Sequence, residues 1–421
     1  MRRSVIAAGL SLVALLPLAA GARFLDVRTE DWSLPPLIAT NPDGARLAAA
    51  IKPDDLNDVL ISRLVAFNAQ PLRGRYDKAG LDRMKAWAWT YLGRAAVRTY
   101  HLTRDPRLIE LVLSGFDKYA AEGQAQATQP GGFGWYTHDL QRDVYFKEIP
   151  ITGLVIAPIV EMLQLAETDD RLAAIIRQRR QDLMQVIRRG IDGFSTNYDE
   201  QAGLGFYRNP ADPDVLPLNL SSVYARPLLG LGQLTSNQEY FREAAGIART
   251  WQAMLTARSP DDSFWTYTPQ PGNPKNPMGP RERMIKAGAG VEFPLAAYHA
   301  GIVLSAADIG LIAAMPHTIL LERPDSAHVS LRRYVDAKSR DFFTMDRADI
   351  RDLMALSSWY AFVCHDPDLE PMLDPILFGL DAKFYLHDGR AMMAIAGRLA
   401  LPPGPQRCSS STPPVPHTGA N

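Results

Sequence analysis

Two glutamates in this chain each stand directly before a hydrophobic residue and a proline, in Glu148-Ile149-Pro150 and Glu292-Phe293-Pro294. Proline at an early helical position favours helix initiation, so both carboxylates are expected at the heads of helices. Two carboxyl groups at one site can divide general acid and base work on a single bond. The same placement also suits a helix cap, worth about 0.5–2 kcal/mol, and the sequence leaves both roles open. Asn219 lies as far beyond Phe206 as Glu148 lies beyond Trp135, which gives it an equivalent place. His138 and His299 are the candidates for proton transfer, because an unperturbed imidazole titrates near about 6.5. His299, inside an apolar stretch, reads equally well as a core histidine. Arg208 and Arg226 can neutralise an anionic group, and Tyr207 and Tyr224 bring hydroxyls to the same segments.

Three aromatic turns feed these segments: Gly132–Thr137, Gly203–Arg208 and Asp262–Tyr267. Trp135, Tyr136, Tyr207, Trp265 and Tyr267 can offer flat apolar faces to sugar rings while their polar edges stay wet. Packing between helix ends is the competing use of the same rings. Trp87, Trp89, Trp251 and Trp359 fall within helical patterns and read as core.

Apolar periodicity predicts the elements that must position these groups. Helices are expected over Pro53–Asn68, Leu81–His101, a stretch opened by Asp105-Pro106, Ile149–Glu167, Leu172–Phe194, Asn219–Leu234, Gln238–Ala257 and Glu292–Ala314. A further helical pair is expected across Arg347–Val363 and Leu369–Ala400. Ile149–Glu167 and Glu292–Ala314 are apolar nearly all round, as in helices covered on both sides. Leu172–Phe194 and Gln238–Ala257 carry a charged face suited to an outer layer. Alternating β-branched runs are scarce, which argues against a sheet-based enzyme. The proline-rich stretch Thr268–Gly290, with Lys275, Arg281, Arg283 and Lys286, reads as a lid or a disordered insertion.

The 421 residues are 47% hydrophobic and 22% charged with a formal net charge of −1, the profile of a globular protein without a field for nucleic acid. The arginines at 177, 179, 180, 188 and 189 read as a solvated helix face. Arg2 and Arg3 before an apolar run and Ala20-Gly21-Ala22 predict a signal peptide over 1–22, hence a periplasmic or secreted protein without a stable membrane span after cleavage. Residues 23–52 are expected as an extended arm, 53–400 as the main domain and 401–421 as a disordered tail. With two cysteines, one disulfide is conceivable, although Cys364 reads as a packed helix residue and Cys408 as part of the tail. No HExxH or close histidine pair occurs, so neither a metal nor a cofactor is expected.

The aromatic turns, together with Asn219-Leu220-Ser221-Ser222-Val223-Tyr224-Ala225-Arg226 and its continuation from Asn237 to Ala245, resemble the (α/α) toroid enzymes that act on polysaccharides. These include alginate- and heparin-type lyases, the C-terminal domain of glucuronyl C5-epimerase and the six-hairpin glycosidases. Glu292 followed by Tyr298-His299 is similar to an acidic, histidine-bearing helix in several of them. The resemblance, over residues 80 to 400, implies an all-α toroid of helical hairpins with aromatic loops at one rim. Its partner would be a polysaccharide or oligosaccharide, acidic in character. The leading expectation is a lyase or C5-epimerase on a uronate-containing glycan, with His138 or His299 and the tyrosines moving protons while Arg208, Arg226 and Asn219 neutralise the carboxylate. The alternatives are a glycoside hydrolase using Glu148 and Glu292, and a non-catalytic glycan-binding or envelope-assembly protein.

Overall fold

A computed structural model describes residues 38–39, 50–73, 80–139, 144–209, 212–256, 282–325, 328–331, 354–377 and 395–396. All belong to one unit, Leu37–Asn421. In chain order the elements are β1 (Ile38–Ala39), α1 (Pro53–Asn68), α2 (Arg83–Thr103), α3 (Pro106–Ala125), β2 (Tyr136–Asp139), β3 (Val144–Lys147), α4 (Ile149–Leu165), α5 (Asp170–Ile176) and α6 (Arg180–Ile191). Then come β4 (Tyr198–Gln201), β5 (Leu204–Asn209), β6 (Asp212–Val215), α7 (Leu218–Thr235), α8 (Gln238–Thr256), α9 (Met284–Gly290) and α10 (Glu292–His299). The chain continues through α11 (Ala306–Ala313), α12 (Met315–Ile319), β7 (Leu320–Asp325), β8 (His328–Leu331), a 3₁₀ segment (Met354–Phe362) and α13 (Leu369–Leu377).

The helix ends follow from short-range chemistry. The Asp82 carboxylate accepts from the Met84 amide and opens α2, which closes at Arg104 in a left-handed conformation. One residue later Asp105 caps α3, with Pro106 at its first position. Two helices separated by two residues must turn back on each other, and α3 packs against both α2 and α4.

Side-chain register shows how the inner helices run. The Trp89 indole donates to the Val155 carbonyl at 2.9 Å, and Arg94 reaches Glu161 at 2.8 Å, so residue numbers rise together along α2 and α4. Along α4 and α7, Gly153 lies against the Tyr224 backbone, Gly230 against Val160, and Gln164 donates to Gln233 at 2.7 Å. Gly290 meets Asn219 and Glu292 meets Arg226, which carries the same parallel order to α9 and α10. Outside this inner row, α3 and α6 pack against α4 and α8 packs against α7. Parallel inner helices joined through outer ones are the α/α toroid arrangement. Their N-terminal ends share one rim, where the β2–β3 hairpin and the β4–β5–β6 sheet lie.

Close approach is built into α4. A Cβ on Gly153 would stand 2.7 Å from both the Tyr224 Cα and the Val223 carbonyl oxygen, backbone atoms that cannot rotate aside. Gly153→Ala is therefore expected to destabilise the fold by about 1–3 kcal/mol, read as a lower urea midpoint with an unchanged slope. An unchanged midpoint would remove Gly153 from the packing account.

Several sequence expectations need correction. The stretch Leu172–Phe194 is two helices, α5 and α6, rather than one. Glu292–Ala314 breaks after His299, because Gly301 and Val303 take positive φ and Ser305 with Asp308 forms a capping box that starts α11. The first two aromatic turns are arms of antiparallel hairpins, with Tyr136 opposite Lys147 and Tyr198 opposite Tyr207. The third, with Trp265 and Tyr267, lies outside the described residues, as does most of Thr268–Gly290, whose last residues form α9. Cys364 is disulfide-bonded rather than a free packed thiol, and the chain has one other cysteine, Cys408.

Candidate functional site

Along α2 the residues Arg83, Trp87, Tyr91, Arg94 and Arg98 are spaced by four, four, three and four, so they form one stripe on the helix. Trp87 and Tyr91 stack at 6.0 Å with ring planes 23° apart. They wall a narrow recess of about 30 Å³, shared with Leu154 and Ala157 of α4, Val223 and Arg226 of α7, and Gly288 and Glu292 of α9 and α10.

A five-residue ion cluster lies at this recess. Glu161 accepts from Arg94 and Arg98, each at 2.8 Å, and from Arg226 at 2.9 Å. Glu292 pairs with Arg94 and, at 2.8 Å, with Arg226. Burial alone would raise the Glu292 carboxyl, but Arg94, Arg226 and Arg98 outweigh it and hold it at about 2. Glu161 is likewise held well below the usual carboxylate range against its burial, by Arg98, Arg94 and Arg226. Burial, then the neighbouring Arg94, pushes Arg226 down to about 10, still charged at neutral pH. Burial opposes the charge on Arg94 too, yet its two glutamates more than compensate and raise it. Three guanidiniums against two carboxylates leave one positive charge unbalanced. The hydrogen bonds and ion-pair contacts of Glu292 fall on Oε2, leaving Oε1 for the recess.

Neither glutamate acts as a side-chain cap. Glu148 stands at the N-cap position of α4 without a capping bond; its Oε2 accepts instead from Arg83 at 2.9 Å and from Thr137. Glu292 likewise turns away from the backbone into the arginines. The two carboxylates are not a facing pair. Their arginine partners are eleven positions apart on α2, roughly 16 Å along the axis. Glu292 shares its guanidiniums with Glu161.

The other sequence candidates are dispersed. Trp135 is fully buried, its indole donating to the Tyr119 carbonyl at 2.8 Å and its ring lying on Gly190. Tyr136 is buried and bonds the Gly132 carbonyl at 3.0 Å. Tyr207 and Tyr224 meet edge to face in the core, with the Tyr207 hydroxyl donating to Glu243 at 2.6 Å. These rings therefore offer no face to a ligand. The glycines of the turns explain why. Gly205 lies against the Gly246 backbone of α8 and Gly190 of α6 against the Trp135 ring, so the hairpins press inward onto the outer helices. Strand alternation puts Thr137 towards Arg83 and thus His138, stacked on Tyr145 at 4.4 Å, on the opposite face. Asn219 is buried with its Oδ1 unpartnered beside Gly290. Arg208 pairs with Asp199 at 2.8 Å. His299 is exposed at the end of α10, beside Tyr298 and His365. Of the candidate residues, the recess gathers Arg226 and Glu292.

No protein-family model matches the chain, and no curated protein sequence does. Among solved structures the chain is similar to the unsaturated glucuronyl hydrolase responsible for glycosaminoglycan degradation from Bacillus sp. GL1, with a TM-score of 0.44, 15% identity and 85% of each chain covered. It is also similar to a family 105 glycoside hydrolase of C. acetobutylicum, with a TM-score of 0.46, 10% identity, and 82% of this chain and 98% of that one covered. Likeness at this level assigns no residue a role.

Proposed function

We propose that this chain is a glycan-acting hydrolase for a carboxylate-bearing sugar, working in the recess between Trp87, Tyr91, Arg94, Arg226 and Glu292. One observation carries the reading: a stacked aromatic wall stands beside an ion cluster with one uncompensated positive charge. Aromatic faces suit the apolar face of a sugar ring, and the surplus guanidinium charge suits one carboxylate. Glu292, held ionised but a weak base at about 2, is fitted to attack the anomeric carbon or to stabilise the positive charge that develops there. It has no proton to give at neutral pH, so it is not the acid.

The lyase or epimerase reading called for histidine, tyrosine, arginine and asparagine at one place. Here Tyr207 is committed to Glu243, His138 faces away, and His299 stands two turns beyond Glu292 on α10. The hydrolase alternative is therefore preferred. A non-catalytic glycan-binding role is the second reading, favoured by the fact that Glu292, the carboxylate lining the recess, is already ion-paired. Export fits the Cys364 disulfide, since such bonds persist in oxidising compartments. No helix among the described residues is long and apolar enough to cross a membrane.

The test is incubation with acidic and neutral oligosaccharides, following new reducing ends and the ultraviolet absorbance of unsaturated uronates together. Reducing ends without new absorbance are expected from acidic substrates. New absorbance would restore the lyase reading, and binding without either signal would favour the second.

A further inference from the structure

The stripe on α2 does not end at the aromatic wall. One turn above Trp87, towards the rim, Arg83 is half exposed on the same helix face and is bound to Glu148 and Thr137. This triad stands apart from the ion cluster and differs from it in charge. One guanidinium faces one carboxylate, so its net charge is zero. The side-chain bonds of Glu148 fall on Oε2, and its Oε1 takes none from the described residues. Arg83 uses two of its five N–H donors on Glu148 and Thr137. An acceptor oxygen and spare donors, fixed side by side, suit neighbouring hydroxyls of a sugar ring. The unpaired carboxylate oxygen repels a second anion.

We propose that Arg83, Glu148 and Thr137 form a specificity gate for the ring next to the one in the recess, accepting an uncharged sugar and rejecting a second carboxylate. This rests on the recess being the site for the acidic ring. Glu148 is then a specificity-determining residue rather than a member of the catalytic pair, and Arg83 tempers its repulsion. The two side chains consequently have opposite effects when replaced. Removing the carboxylate relaxes the gate, and removing the guanidinium tightens it.

The experiment compares the full chain with Glu148→Gln and Arg83→Gln on two disaccharides that share an acidic first ring, one with a neutral and one with an acidic second ring. Calorimetric binding and reducing-end release are both measured. The unsubstituted chain is expected to favour the neutral second ring by at least about tenfold, since facing like charges are costly. Glu148→Gln should bring the ratio to near unity and Arg83→Gln should increase it. A merely structural pair would weaken both ligands equally in both variants, and that result would overturn the gate. An unchanged ratio in Glu148→Gln overturns it as well. Discrimination in binding without cleavage supports the gate while refuting the hydrolase reading. Failure to bind either disaccharide refutes both.

Discussion

Glutamine at position 292 is expected to lower turnover on an acidic oligosaccharide by at least about 10²-fold, the loss typical when a group that stabilises charge developing in the transition state is removed. The substitution keeps the shape of the side chain and one oxygen for Arg94 and Arg226, but the amide is no nucleophile. It also removes one negative charge from a cluster already positive by one. Glu161→Gln makes the same change in charge and touches the same three arginines, while Glu161 does not line the recess. Its turnover is expected to stay within about tenfold of the unsubstituted chain. Measured together with thermal unfolding, the pair separates chemistry from electrostatics. Equal losses in the two variants would mean that Glu292 acts only as part of the ion cluster.

The second large effect is on stability. Replacing Arg94 by methionine takes from Glu161 and Glu292 the most deeply buried of the three guanidiniums they share. Breaking a buried ion pair from one side costs about 3–5 kcal/mol, so the urea midpoint should fall sharply. The pH dependence gives an independent reading. With Glu292 held at about 2 against an ordinary 4.5, the unfolded chain binds a proton between those values and the folded chain does not. Stability from this group is therefore present above about 4.5 and lost as pH falls towards about 2. Arg94→Met should flatten that acid limb, measured as unfolding free energy against pH. A limb of unchanged slope would place the acid sensitivity elsewhere.

Much of the scaffold could be read from short-range signals. Asp82, Asp105 and Pro106 mark the joint of the α2–α3 hairpin, and the apolar circumference of Ile149–Glu167 marks a buried helix. The breaks were harder to see, although Ser305-Ala306-Ala307-Asp308 spells the capping box that ends the long apolar stretch after His299. The site was partly legible. Arg226 and Glu292 were identified, but their partners were not. Glu161 is the lone charge of α4, as Arg226 is of α7, and a charge in a helix buried all round must be partnered. That signal was in the sequence and pointed to the cluster. Trp87 was hidden differently, since its spacing with Tyr91 fits a core face as well as a cleft wall. The aromatic turns misled because Trp135 and Tyr207 find their hydrogen-bond partners inside, at the Tyr119 carbonyl and Glu243. Which inner helix residues stand level with one another depends on contacts such as Gly153 on Tyr224, and no local pattern sets that register.

On the proposed function, the recess beside Trp87 receives an acidic sugar. Calorimetric titration of the full chain and of Trp87→Ala with a uronate-bearing disaccharide tests it most directly. Binding is expected, weakening about tenfold when the ring is removed, with the folded state retained. Equal affinity in the two proteins would contradict it.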